Sequence, residues 1–188
     1  MNNDRTLSGA IVLVKGTSWI SRQIIFHMKI YAKLKHKKPL PFSHGEVLLW
    51  NEVERNLNGL HLEAKTLYTI GARESGAEIS KASEYYHGEY LILKPVKPLT
   101  VYEEQSGWTF WTYVDKTKYQ YSNFISWIQY IKTFGLIWIG RKGAQTNYCF
   151  ELCSRFVRFW NRWPSNKSND QVSSYDLYDL KDYKPQTN

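Results

Sequence analysis

The sequence predicts an α+β domain, a small antiparallel sheet packed against helices. Three observations lead there. Segments that read as strands occur at residues 10–14, 43–50 and 90–93, the first a fully apolar, β-branched run, bounded by Gly, Pro or polar turns. Between them lie segments of helical period, of which Ile20, Ile24, Ile25, Met28 and Tyr31 form the clearest. Helices and short strands share one stretch of chain with no internal repeat, which favours a single mixed core.

Taken in order, Ala10-Ile11-Val12-Leu13-Val14 reads as a buried strand and Lys15-Gly16-Thr17-Ser18 as a turn. Ser18 is placed to cap a helix that begins at Trp19. Pro39 and Pro41 end that region and force an extended approach to the strand at 43–50. A polar turn at 51–59 leads to Leu60-His61-Leu62-Glu63-Ala64, read as the return strand of a hairpin, with His61 and Glu63 on one face. Residues 69–83 contain Gly71 and Gly76 and read as a loop with a short strand. Tyr90-Leu91-Ile92-Leu93 is a further strand, closed by Pro95 and Pro98. Thr100, with Glu103 three residues on, starts a Trp-rich helix that runs to about Asp115. Another helix is expected at 124–131, and 136–139 fits either helix or strand. A polar loop at 140–146 leads to a helix beginning near Cys149, with Leu152, Phe156, Phe159 and Trp160 on its buried face. After Pro164 the composition turns polar. The expected division is a folded domain at 1–164 and a polar, weakly held tail at 165–188.

A chain of 188 residues, 43% of them hydrophobic, builds one proper core and is not disordered overall. Formal charge is +8, from 25 basic and 17 acidic residues, which favours anionic partners without selecting one. Cys149 and Cys153 are the two cysteines, four apart on one helix, which argues against a disulfide framework. No C-x-x-C pair or Cys/His cluster points to zinc, and neither a metal nor another cofactor is expected. The amino end lacks a signal-peptide pattern and no segment reaches transmembrane length. The expected location is the cytoplasm, or release by some other route from a bacterial or phage host.

The stretch Asn147-Tyr148-Cys149-Phe150-Glu151-Leu152-Cys153 places a cysteine at a helix start, where unpaired backbone N–H groups favour a thiolate. The bland alternative is a small core hydrophobe. Thiol catalysis also needs a base and a group that orients it. Of the histidines at 27, 36, 44, 61 and 87, His44 opens a strand directly after a turn and His61 stands beside Glu63.

In combination, Phe42-Ser43-His44-Gly45-Glu46-Val47, then Leu62-Glu63-Ala64, then Tyr148-Cys149-Phe150-Glu151-Leu152 resembles the permuted papain-like, YiiX-type branch of the NlpC/P60 superfamily. Val14-Lys15-Gly16-Thr17-Ser18 and Tyr119-Gln120-Tyr121-Ser122 resemble further segments of that family, over about residues 10–160. In papain the cysteine precedes the histidine, whereas here Cys149 lies 105 positions after His44. The resemblance implies a circularly permuted papain-like fold, with Cys149 as nucleophile, His44 as general base and Glu63 as the residue that orients His44. Tyr148 is the candidate for lining the substrate site. Glu46 shares a strand face with His44 and competes with Glu63. Two positions depart from the family pattern: Phe150 stands where a small residue is usual, and Gly45 where a branched one is common.

The function this implies is a thiol hydrolase that cuts amide bonds of a peptide or a peptidoglycan stem through a Cys acyl-enzyme. A lipid acyl hydrolase or acyltransferase of the lecithin:retinol acyltransferase type is the first alternative. A non-catalytic basic binding module is the second, although no nucleic-acid motif supports a nucleic-acid partner. Oligomeric state is not legible.

Overall fold

The computed structural model describes residues 3–73, 76–85, 88–115, 118–119, 146–147, 149–163, 168–169 and 172–186. A six-stranded antiparallel sheet organises them. Its strands are β1 (Ile11–Val14), β2 (His44–Asn51), β5 (Thr66–Arg73), β6 (Gly76–Lys81), β7 (Tyr90–Pro95) and β10 (Tyr183–Pro185), in the order β10-β7-β1-β2-β5-β6. Two small pairs stand apart from it. One is β3 (Arg55–Leu57) with β4 (Leu60–Leu62), the other β8 (Lys118–Tyr119) parallel to β9 (Thr146–Asn147).

Both faces of the sheet are covered, which is why its central strands read as nearly continuous apolar runs. Ile11, Leu13, Val47, Leu49 and Ile70 belong to the larger core. Val12, Leu48, Trp50 and Leu67 alternate onto the other face, packed with Leu7 and Ala82. Helices α1 (Trp19–Leu34), α3 (Val101–Val114) and α4 (Cys149–Phe159) contribute to the larger core, while the short α2 (Ala82–Tyr85) brings Ala82 to the smaller one.

The expected helix starts hold. Ser18 accepts from the Ser21 N–H at 3.1 Å and caps α1. Thr100 and Glu103 form a reciprocal capping box on α3, with Thr100 N–H donating to Glu103 at 2.7 Å. On α4, Cys149, Leu152, Cys153, Phe156 and Val157 are buried. Phe159, expected in the core, is instead half exposed and stacks on Phe110 with ring centroids 4.9 Å apart.

Three expectations are corrected. The return strand that pairs with β2 is β5, in the register Glu46↔Gly71 to Asn51↔Thr66, and not residues 60–64. The stretch expected to be mostly loop, 69–83, supplies most of the β5–β6 hairpin. Glycines inside a strand pattern suggested the loop, but Gly71 serves a close approach described below. The carboxyl segment is not weakly held. Val172, Tyr175, Leu177, Leu180 and Tyr183 are buried, and β10 adds an edge strand to β7. The Tyr175 hydroxyl accepts from Leu40 N–H at 3.0 Å and donates to the Met28 carbonyl at 3.3 Å, so α5 (Ser174–Tyr178) ties down the end of α1. Apolar anchors spaced through a polar stretch are enough to hold it. The expected helix at 124–131, the run at 136–139, Tyr121, His87 and Tyr148 lie outside the described residues.

Candidate active site

β1, β2 and β5 set the floor of the site. Val14 pairs with His44 across β1 and β2, and Glu46 pairs with Gly71 across β2 and β5. Strand alternation puts His44 and Glu46 on one face, together with Thr69 and Arg73 from the neighbouring strand. Glu46 is fully buried, and its carboxylate meets His44, Arg73 and Thr69. His44 Nε2 lies 2.9 Å from Oε1, Arg73 donates to Oε1 at 3.3 Å, and the Thr69 hydroxyl donates to Oε2. Burial alone would raise the Glu46 pKa. The hydrogen bond and charge of His44, the charge of Arg73 and the Thr69 hydroxyl more than offset it and hold the group at about 2.

Gly71 is what admits that carboxylate. A Cβ at position 71 would stand 2.6 Å from Glu46 Oε1 and 2.8 Å from its Cδ. Thr69, Gly71 and Arg73 therefore act as a set at alternate positions of β5: a hydroxyl, a space and a cation. The sequence carried this as a period-two pattern around an in-strand glycine, a known mark of close approach.

α4 packs on the opposite, Gly45 side of β2. A Cβ at Gly45 would stand 2.9 Å from Phe150 Cδ1 and 3.3 Å from Cys153 Sγ. Gly45 and Phe150 are thus sterically complementary. Phe150 fills the space that Gly45 leaves open. Cys149, the first residue of α4, is buried level with the start of β2, its sulfur 3.9 Å from the Ser43 carbonyl oxygen.

There it is within hydrogen-bonding reach of His44. Burial would push the imidazole pKa down. The negative charge and hydrogen bond of Cys149, and then those of Glu46, raise it instead to about 10, well above the ordinary histidine range. A chain of groups therefore runs from Cys149 to His44 to Glu46, and on to Thr69 and Arg73. Cys153, one turn behind Cys149, is a core thiol, and burial pushes its pKa well up.

Glu63, expected to orient His44, is elsewhere. Its carboxylate lies 2.6 Å from Lys81 Nζ and its side chain is 53% exposed. Its backbone carbonyl accepts from the Asn51 amide at 2.8 Å, and its N–H donates to the Tyr68 hydroxyl at 2.8 Å. Asn51 stands seven residues along β2 from His44, roughly 23 Å at the usual strand rise. Glu46 is the carboxylate that contacts His44. His61 lies 3.6 Å from Glu54, exposed and apart from the site.

Comparison with solved structures agrees with this arrangement of elements. The structure described as the metalloprotein yiiX from Escherichia coli O157:H7 superposes with a TM-score of 0.53 at 15% identity, over 97% of each chain. The chain has the YiiX-type fold. No family model and no curated protein matches the sequence. The YiiX structure is described as a metalloprotein, but the described residues here do not make a metal site. No group of three or more His, Cys, Asp and Glu among them could hold an ion, and the Glu46 oxygens already face His44, Thr69 and Arg73.

Proposed function

We propose that the chain is a cysteine-dependent acyl hydrolase, with amide bonds of a peptide or a peptidoglycan stem as its substrate class. The observation that carries this reading is the Cys149–His44–Glu46 chain, in which Cys149 and Glu46 are buried and His44 is partly so. Burying an ionised carboxylate against an imidazolium is costly, and groups perturbed in this way cluster at working sites.

In this reading the Cys149 sulfur, its proton taken by His44, attacks the carbonyl carbon of the substrate. The amino end of α4 favours the negative charge on sulfur. His44 then gives its proton to the leaving amine as the C–N bond breaks, which leaves a thioester on Cys149. His44 next takes a proton from water, whose oxygen attacks the thioester. The acid departs and the Cys149–His44 pair is restored. Glu46 acts as a positioning residue throughout. It fixes the ring orientation and stabilises the imidazolium.

The test is the rate of Cys149 alkylation against pH, in the wild type and in His44→Ala, with Cys153 as an internal control. A thiol that reacts near neutral pH, and loses that reactivity in His44→Ala, supports the pair. A Cys149 that stays inert until the protein unfolds overturns it. Release of amine from peptides, set against release of fatty acid from lipid, then separates amide cleavage from lipid acyl chemistry.

A further inference from the structure

The whole net charge of the chain sits in one stretch. Residues 5–45 contain no Asp or Glu and eight of the 25 basic residues, and the remaining 17 basic residues balance the 17 acidic ones. α1 and the Lys33-Leu34-Lys35-His36-Lys37-Lys38 run that follows it form the core of that stretch.

α1 faces two ways. Met28 and Ala32 are buried, with Ile24 and Tyr31 packed beside them on the larger core. On the other side Trp19, Phe26, Ile30 and Leu34 are exposed, Trp19 by 71% and Phe26 by 56%. At 100° per residue these four fall within about 80° of arc and make a stripe about 22 Å long. Arg22, Lys29 and Lys33, all exposed, follow one flank of the stripe. Lys37 is paired with Asp179, but no ion pair engages Arg22, Lys29, Lys33, Lys35 or Lys38 among the described residues. Arg22, Ile25, Phe26 and Lys29 line a cleft of about 350 Å³ against the Lys15-Gly16-Thr17 loop. That loop abuts the site, since Gly16 N–H donates to the Ser43 hydroxyl at 3.0 Å.

Single exposed hydrophobic residues need no explanation, but an aligned stripe of four large ones with a cationic border does. We infer that α1 lies on the surface of an anionic lipid bilayer, with Trp19, Phe26, Ile30 and Leu34 immersed at the headgroup boundary and the lysines and Arg22 on the phosphates. Three features choose this occupant. The surface is single-signed and cationic, so a second copy of this face would be repelled. The apolar stripe calls for an apolar counterpart beneath the anions, which nucleic acid lacks. No described helix is long and apolar enough to cross a membrane, so α1 rests on the surface rather than spanning it.

The test is co-sedimentation of the full chain with vesicles of phosphatidylcholine alone, and of phosphatidylcholine with an equal part of phosphatidylglycerol. The expected result is binding at least tenfold tighter to the anionic vesicles, weakening between 50 and 300 mM salt. Each of Lys33→Gln and Lys35→Gln lowers it about fivefold. The Phe26→Ser, Ile30→Ser double variant lowers it at least tenfold with an unchanged circular dichroism spectrum. Equal binding to both vesicles, or none to either, overturns the proposal. So does a double variant that binds as wild type, which leaves charge adsorption alone. A concentration-dependent dimer in sedimentation velocity, abolished by the same double variant, also overturns it and assigns the stripe to a second copy. The measurement needs no turnover, so it stands or falls apart from the hydrolase reading.

Discussion

Replacing Glu46 by Gln removes one charge and almost no volume, at a position with no solvent access. In the folded protein the carboxyl group is held at about 2, against an ordinary value of 4.5. At about 1.4 kcal/mol per pH unit, the fold favours the ionised form over a neutral one by about 3 kcal/mol at pH 7. Glutamine stands in for the neutral form, so Glu46→Gln is expected to lose stability of that order, a fall in Tm of about 6–12 °C for a chain of this size. The sign of the pH dependence follows from the depressed value. The contribution is complete above the unfolded-state value and is lost as the pH falls toward the folded one, so the gap between wild type and variant narrows to about 1 kcal/mol by pH 3. Urea unfolding of both proteins at pH 7 and pH 3 measures the two gaps. For the proposed hydrolase, the same variant also deprives His44 of its carboxylate partner, and turnover is expected to fall about 10³- to 10⁴-fold, the cost of losing an orienting carboxylate in a triad. A stability gap that is absent, or equal at the two pH values, would refute the assignment of Glu46 as a buried, ionised partner of His44.

Three further outcomes are expected. Glu63→Gln breaks an exposed pair with Lys81, so stability should move by no more than about 0.5 kcal/mol and the Cys149 alkylation profile should not change; a displaced profile would restore Glu63 to the site. Gly45→Ala drives a methyl into Phe150 and should cost about 1–3 kcal/mol in urea unfolding, part of it recovered when Phe150→Leu is added. Additive effects of the two changes would show that the contact is not shared. Tyr183 is buried, and its hydroxyl has no hydrogen-bond partner among the described residues. Tyr183→Phe should therefore be neutral or stabilise by up to about 1 kcal/mol, whereas Tyr183→Ala should cost about 3–5 kcal/mol, and a harmless Tyr183→Ala would mean that the carboxyl strand is dispensable.

His44 and Cys149 were readable because each sits at a boundary that leaves a local mark: a strand that opens after prolines, and a helix that opens at a cysteine. The capping residues Ser18 and Thr100 were readable for the same reason. Strand partnership leaves no such mark. Residues 60–64 looked like the return strand because they follow the first turn after β2, yet that turn folds on itself as β3 and β4. The strand that returns along β2 was obscured by Gly71, whose value lies in what it omits. Glu63 was displaced by that misreading, while the carboxylate that contacts His44 stands two residues along the same strand and needed only alternation to place it. The burial of Tyr175, Leu177, Leu180 and Tyr183 was hidden by the polar residues around them, since mean polarity does not show whether a few anchors suffice.

The position of Cys149 late in the chain has a consequence for synthesis. At ribosomal speeds of about 5–20 residues per second, about 5–20 s separate the appearance of His44 from that of Cys149. By the end of that interval β1, β2, β5, β6 and β7 have all been made, and the imidazole and its carboxylate are present without the Cys149 sulfur. For the proposed hydrolase, every prematurely terminated chain shorter than 149 residues is chemically silent. β10, the edge strand that pairs with β7, emerges after the thiol, so the three site residues are all made before the sheet reaches its full width.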